Sequence, residues 1–364
     1  MACSKIDVST CRTLLALSQL KGWGGQTILR LSLAHLSSDL TFLKDLGLSP
    51  RLSRPLNTQE QHKYTEILAD CLIPQSAWDW AEQQLKQHAE IGATVLGFYD
   101  EAYPLILRLI PNPPPFLFVL GEIQTLNHPA IAVVGTRTPS MQGTQRAQAC
   151  SRLIAQNGFS IVSGLALGID TLAHQSALSE HLNQPNDLAP TLAILAHGLD
   201  SIYPPKNYAL SQQILRQQGA LISESPFGAS VNASRLVSRD RLQAGLSVTT
   251  FIVESSAKGG AMHAGRACLA QDRSLWLPRS LRSQLSEFEQ SHDLASSQEK
   301  VGQEKVGQEK ASAYVHYLAS EDHLRQSLDQ ARQDYARLHQ QGARLWQEIQ
   351  RLNTQSKREQ LSLF

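Results

Sequence analysis

Cysteine is scarce and scattered in this chain. Cys3, Cys11, Cys71, Cys150 and Cys268 are odd in number and form no Cys-x-x-Cys pair. That pattern excludes a disulfide framework, gives no basis for a zinc site, and fits a reducing cytosol. An excess of either charge is missing too: 33 Lys and Arg face 32 Asp and Glu, for a formal net charge of +1. No global field draws a polyanion to the surface, so nucleic-acid binding would need a local patch. No stretch of about 18 apolar residues occurs, and no cationic start leads into an unbroken apolar run. The expectation is a soluble, cytoplasmic protein without membrane contact, metal or cofactor. Its 364 residues have room for two or three domains.

What the chain does have is a strand–turn–helix pattern used twice between residues 131 and 175. The buried-type strands Ile131–Val134 and Ser160–Ser163 each run into a Gly-containing turn and then a helix. Such a unit lays backbone N–H groups and helix N-termini along the carboxyl edge of a parallel sheet, where phosphates bind. Gly135, Thr136 and Arg137 on one loop, with Ser163, Gly164 and Gly168 on the next, are the candidates for anion capture. Further strands are expected at Leu192–Ala196, Ala220–Ser223, Thr249–Glu254 and Ser274–Leu277. Helical stretches separate most of them, which predicts an α/β fold with a doubly wound, mostly parallel sheet.

Residues 1–88 read as a small helical domain of the SAM or helix-hairpin-helix kind. Leu14 to Leu17 lead to Leu20-Lys21-Gly22-Trp23-Gly24-Gly25, and Ile28, Leu29 and Leu31 follow at helical spacing. The Gly-rich hairpin either offers N–H groups to a DNA phosphate or caps a packed helix. Residues 89–127 read as an extended lead-in, because Pro113-Pro114-Pro115 excludes helix and marks a rigid connector. The α/β domain is expected over 128–280. Residues 281–312 read as a polar linker, in which Gln298-Glu299-Lys300-Val301-Gly302 recurs as Gln303-Glu304-Lys305-Val306-Gly307; that composition cannot bury a core. Over 313–356, Leu324, Leu328, Ala331, Tyr335, Leu338, Gly342, Leu345, Ile349 and Leu352 alternate four and three residues apart. This is the seam of a coiled coil, paired between two chains or folded back on one. An amphipathic helix laid on the domain is the alternative, and Gly342 weakens the seam.

Several motifs recur in order along the α/β block: Val134-Gly135-Thr136-Arg137, Ser163-Gly164-Leu165-Ala166-Leu167-Gly168-Ile169-Asp170, Ala173-His174 with Ala177-Leu178, and Gly198-Leu199-Asp200-Ser201-Ile202-Tyr203-Pro204. Ile222-Ser223-Glu224, Arg239-Asp240-Arg241 and Ala244-Gly245-Leu246-Ser247 follow. Together they resemble the DNA-processing protein A (DprA/Smf) family, single-stranded-DNA-binding proteins of bacterial natural transformation, over roughly residues 96 to 278. The resemblance implies a Rossmann-like, non-enzymatic domain that binds single-stranded DNA in a basic groove, forms a homodimer, and helps load a RecA-type recombinase in DNA recombination. Carried over by position, it gives Arg137 a phosphate contact and makes Lys206 a groove lysine. Arg239 and Arg241 match the arginines of an Arg-Asn-Arg motif, and Arg235 lies close to the place of a further lysine. Guanidinium forks and loop amides suit a strand backbone of any sequence. The chain also departs from the family. Leu236-Val237 stands for Phe-Pro, Asp240 for the central Asn, Lys258-Gly259-Gly260-Ala261 for Ser-Gly-Ser-Leu, and no winged-helix tail is visible.

Other residues keep two readings. Asp170 and His174, four apart on one helix, are an acid/base pair or a helix-start carboxylate above a packed histidine. Glu224 and Glu254 follow strands, and bind a ribose hydroxyl or hold a loop. Arg239 and Arg241 face DNA or pair with Asp240 and Glu224. A nucleotide-processing phosphoribohydrolase-like enzyme is the alternative function, although Gly259-Gly260 lacks the preceding Pro, the Gly-Thr and the Glu of such loops. Residues 357–364 read as an accessible tail ending Gln360-Leu361-Ser362-Leu363-Phe364. That ending resembles the short motif that docks proteins on the DNA polymerase sliding clamp, an extended peptide whose apolar side chains fill pockets. A clamp-dependent adaptor is thus a third reading, and helix capping by the same residues is the plain one.

Overall fold

The computed structural model describes residues 7, 9–37, 41–69, 72–183, 191–281 and 314–361. Ile131, Ala132 and Val133 are fully buried and Val134 is nearly so, as a strand covered on both faces requires. That strand lies inside one sheet. In chain order its members are β1 (Ala93–Gly97), β2 (Phe116–Gly121), β3 (Ala130–Gly135), β4 (Ser160–Ser163), β5 (Leu192–Leu195), β6 (Ala220–Ser223), β7 (Thr249–Glu254), β8 (Ser274–Pro278) and β9 (Val315–Leu318). They lie in the order β1-β2-β6-β5-β4-β3-β7-β8-β9. The run from β6 to β9 is parallel, while β1 and β2 are antiparallel to each other and β2 to β6. The α/β doubly wound expectation holds, and each strand expected between residues 131 and 277 is found to within a residue.

Helices α1 (Cys11–Leu17), α2 (Gly25–Leu36), α3 (Pro50–Ser53), α4 (Thr58–Lys63) and α5 (Gln75–Glu90) precede the sheet. Its connections carry α6 (Met141–Gln156), α7 (Ile169–Asn183), α8 (Tyr208–Arg216), α9 (Ala233–Gly245) and α10 (Ala261–Ala270), and α11 (Glu321–Leu361) follows β9. No helix among the described residues is long and apolar enough to cross a membrane.

The Pro-rich lead-in is more than a connector. Its flanks form the hairpin β1–β2, which adds to the sheet at β6 by pairing Phe118 with Ser223 and Gly121 with Ala220. The prolines end just before β2 and cost it no ladder donor, so they mark a strand entrance. Buried Leu14, Leu15, Leu17, Ile28, Leu29 and Leu31 share one apolar cluster with Leu117, Phe118 and Val119 of this hairpin.

The coiled-coil expectation is corrected. Leu324, Leu328, Ala331 and Leu338 of α11 pack into the cluster beneath α6 and β3, and Leu345, Ile349 and Leu352 into the one shared with the N-terminal helices. The seam is therefore the face that α11 lays on its own chain. Gly342 is what permits this, since a Cβ there would stand 2.5 Å from the Leu105 carbonyl oxygen. Beside it, Trp346 stacks on the Arg108 guanidinium at 4.2 Å, which donates to the carbonyls of Phe98, Asp100 and Tyr103. The segment expected to be helical from residue 313 instead begins as β9. Linker residues 282–312 lie outside the described residues, as do Ser362, Leu363 and Phe364. Gln360 and Leu361 continue the backbone of α11 rather than starting an extended peptide.

Candidate nucleic-acid interface

Neighbouring strands β4 and β7 flank β3, and the chain leaves β3 for one and later returns to the other. A ligand crevice in an open parallel sheet forms at such a switch point, outside the carboxyl ends of the strands. Here the loops after β3, β4, β5 and β6 meet. Gly168 has φ +79°, and a Cβ on it would press on the Thr136 and Arg137 carbonyl oxygens at 2.4 and 2.6 Å. Ile169 N donates to Thr136 O at 3.1 Å, which ties the first loop to the start of α7. Leu165, buried at φ 56°, is a strained turn in the second loop. Asn207 Nδ2 donates to Leu165 O at 2.8 Å and to Thr171 Oγ1 at 2.9 Å, drawing in the loop after β5.

These loops border an open cleft with a cavity of about 50 Å³ at its centre. Arg137 lines it from the first loop and Arg239 from α9, while Leu167, Tyr203, Pro204 and Leu236 supply apolar wall. Arg137 is exposed and enters no ion pair among the described residues. Lys206 is likewise exposed, in the turn after the cis Tyr203-Pro204 bond. Tyr203 is 44% exposed although it is a large aromatic. Its N–H donates to His197 Nε2 at 3.2 Å, and His197 Nδ1 bonds Gly198 O at 2.8 Å. The two contacts assign the proton to Nδ1.

The remaining predicted residues sit differently. Ser163 is fully buried, and its hydroxyl donates to Val133 O at 2.7 Å. Gly164 N donates to Asp170 Oδ2 at 3.0 Å, and Ala166 N to the same oxygen at 3.4 Å. Of the amides expected to capture an anion, that of Gly164 thus already holds a carboxylate of the chain itself. Asp170 acts as the loop's internal anion, and burial pushes its carboxyl up while Arg239 and those amides pull it down. His174 bonds Thr191 Oγ1 at 2.7 Å, not Asp170. Burial, then Arg239, lowers it to about 3, so it is neutral. No acid/base pair forms.

Arg239 is only 7% exposed. Its Nη1 donates to Ile194 O at 2.7 Å and its Nε to Asp240 Oδ1 at 3.1 Å. A Cβ on Gly164 would lie 1.8 Å from Nη1, so any larger residue would have to displace the guanidinium. Arg241 Nη2 pairs with Glu224 at 2.5 Å. Both arginines therefore follow the ion-paired reading. Arg235, half-buried, donates to Ser230 O at 2.6 Å beside the helix start. Glu254, at the end of β7, accepts from Ser140 N at 3.1 Å and Ser140 Oγ at 2.8 Å and so ties the start of α6 to β7, while Glu224 accepts from Ser238 Oγ at 2.9 Å on α9. The apolar wall was not singled out from sequence. Tyr203 stood within a motif, but nothing in a sequence marks an aromatic ring as exposed.

Comparison with known proteins fits this geometry. The family described as DNA recombination-mediator protein A matches residues 94–317. Protein Smf of Synechocystis is 33% identical over 252 residues, covering 68% of this chain and 59% of its own. Protein Smf of Escherichia coli is 35% identical over 177 residues, covering 49% and 46%. The matched part thus spans about half to three-fifths of these relatives. The solved structure of DNA processing protein A from Streptococcus pneumoniae shares the fold, with a TM-score of 0.57 and 24% identity over 85% of this chain and 99% of that one.

Proposed function

The chain belongs to the DNA recombination-mediator protein A family, and from that premise we propose that it binds single-stranded DNA across the cleft at the carboxyl edge of its sheet. The supporting observation is the pairing of an exposed Arg137, in no ion pair among the described residues, with an apolar wall that includes the exposed Tyr203 ring. Arg137 and Lys206 meet phosphates, and Tyr203 and Leu167 meet bases. Strand binding without sequence preference needs this combination of cations and stacking surface. A duplex hides its base faces and would leave the apolar wall unused. The role is DNA processing, in natural transformation or recombination, as a binding protein rather than an enzyme. Recombinase loading and homodimer formation are carried by family resemblance.

Fluorescence anisotropy with a labelled oligo(dT) tests the proposal. Binding at low salt that weakens in Arg137→Ala and Lys206→Ala supports it, whereas binding untouched by both substitutions contradicts the cleft. Release of a free base or ribose phosphate from nucleoside monophosphates would instead favour the enzymatic alternative. The clamp-docking reading rests on Gln360 to Phe364 alone, since the family match ends at residue 317. Clamp pull-down with and without residues 360–364 decides it.

A further inference from the structure

Arg239 and Arg137 line one cleft, yet only Arg239 is shut in with carboxylates. Asp240 holds its Nε at 3.1 Å and is itself only 13% exposed in its side chain. Asp170 lies beneath, bound to Gly164 N and Ala166 N. With its amide turned the other way round, Gln243 donates to Asp240 Oδ1 at 3.1 Å and accepts from Gly164 N at 2.8 Å, closing the far side. The Arg239 bonds to Ile194 O and Asp240 use Nη1 and Nε, and neither uses Nη2. A guanidinium in this state has a donor edge left for a ligand but no net charge to offer it. Its positive charge is matched by the Asp240 carboxylate at 3.1 Å.

We propose that Asp240 is a positioning residue that sets the strand affinity of the cleft by neutralising Arg239 and holding it at the floor. This inference rests on the single-stranded-DNA reading above. The charged groups acting on Asp240 are Arg239 on its own helix, Asp170 at the start of α7, and Arg137 in the loop after β3. Burial raises the Asp240 carboxyl to about 6, against the pull of Arg239 and with the push of Asp170. Below that pH Asp240 is neutral, Arg239 regains its field, and the cleft favours a polyanion. Above it the carboxylate opposes the strand. Bound phosphate in turn favours the protonated form, so strand binding takes up a proton near neutral pH.

The test uses anisotropy of a labelled oligo(dT) with the full chain and with Asp240→Asn, an isosteric change that removes only the charge. At pH 7.5 the variant is expected to bind roughly tenfold tighter, the scale of one charge-assisted contact. Its salt slope is expected to steepen by up to about 0.7, as one added phosphate contact gives on a single strand. At pH 5.5 the two proteins converge. His197 also lines the cleft but is common to both, so the difference between them isolates Asp240. Asp240→Ser gives a second removal of the charge should the amide repack with Gln243. Equal affinity and equal pH dependence in the parent and both variants overturn this inference alone. No binding by any of them overturns the DNA reading, and this inference with it.

Discussion

Arg137 and Arg239 share one cleft and differ in everything else. The first is exposed on a loop and has no ion-pair partner among the described residues. The second is buried, fastened to Ile194 O and Asp240, and packed against Gly164, where any side chain would displace it. One guanidinium is thus left to solvent, while the other ties α9 to β5 beside the loop after β4. Residue type and motif place an arginine at a site, but its partners decide whether it can bind anything else.

The largest expected effect breaks this contrast at its buried end. Arg239→Ala leaves two buried carboxylates and a carbonyl without their cation, which should cost about 3–5 kcal/mol in urea-induced unfolding. Arg137→Ala should stay within about 0.5 kcal/mol of the parent in the same measurement. Equal stability losses would erase the distinction.

The next effect is a pH slope on the same buried side. Folding holds His174 neutral, at about 3 against an ordinary value near 6.5. The unfolded chain takes a proton below pH 6.5 that the folded chain refuses, so stability is full above that pH and falls as pH drops toward 3. Between pH 7 and 5 the parent should lose about 2 kcal/mol more than His174→Gln. Parallel stability curves for the two proteins would contradict this.

Away from the cleft, Gly342→Ala drives a methyl into the Leu105 carbonyl and should cost about 1–3 kcal/mol by calorimetry. Strand affinity should not change, because α11 packs on other surfaces. The smallest effect belongs to Lys206→Ala, a weakening of roughly threefold in anisotropy, as one exposed and mobile cation gives.

Much of the fold was legible in the sequence because the central strands are continuous apolar runs ending in Gly turns. Residues 131–134, which run into Gly135, are of this kind, and the strand was found to within a residue. The hairpin of β1 and β2 was hidden by Pro113-Pro114-Pro115, which signal a break but here only precede a strand. The seam of α11 was legible as a periodicity but not as a destination. Spacings of 3.5 and 3.6 residues drift apart by only about 20° per heptad, so four heptads suit a partner helix or a domain surface alike. Gly342 favoured the surface, since it fits a close backbone approach better than a knob position. In the site, Arg137 was legible because it sits next to its loop. The fate of Arg239 was not, because Ile194 O lies 45 residues away in the chain. Nor does sequence reveal that the Gly164 amide is already occupied by Asp170, which only the folded loop brings within 3.0 Å.

In the proposed function the cleft binds single-stranded DNA through the exposed arginine. Its most direct test is the dissociation constant of a labelled oligo(dT) for the parent and Arg137→Ala, taken across a salt series. Binding by the variant should be about tenfold weaker and its salt slope shallower by about 0.7, with an unchanged unfolding curve. Superimposable titrations and equal slopes for the two proteins would contradict it.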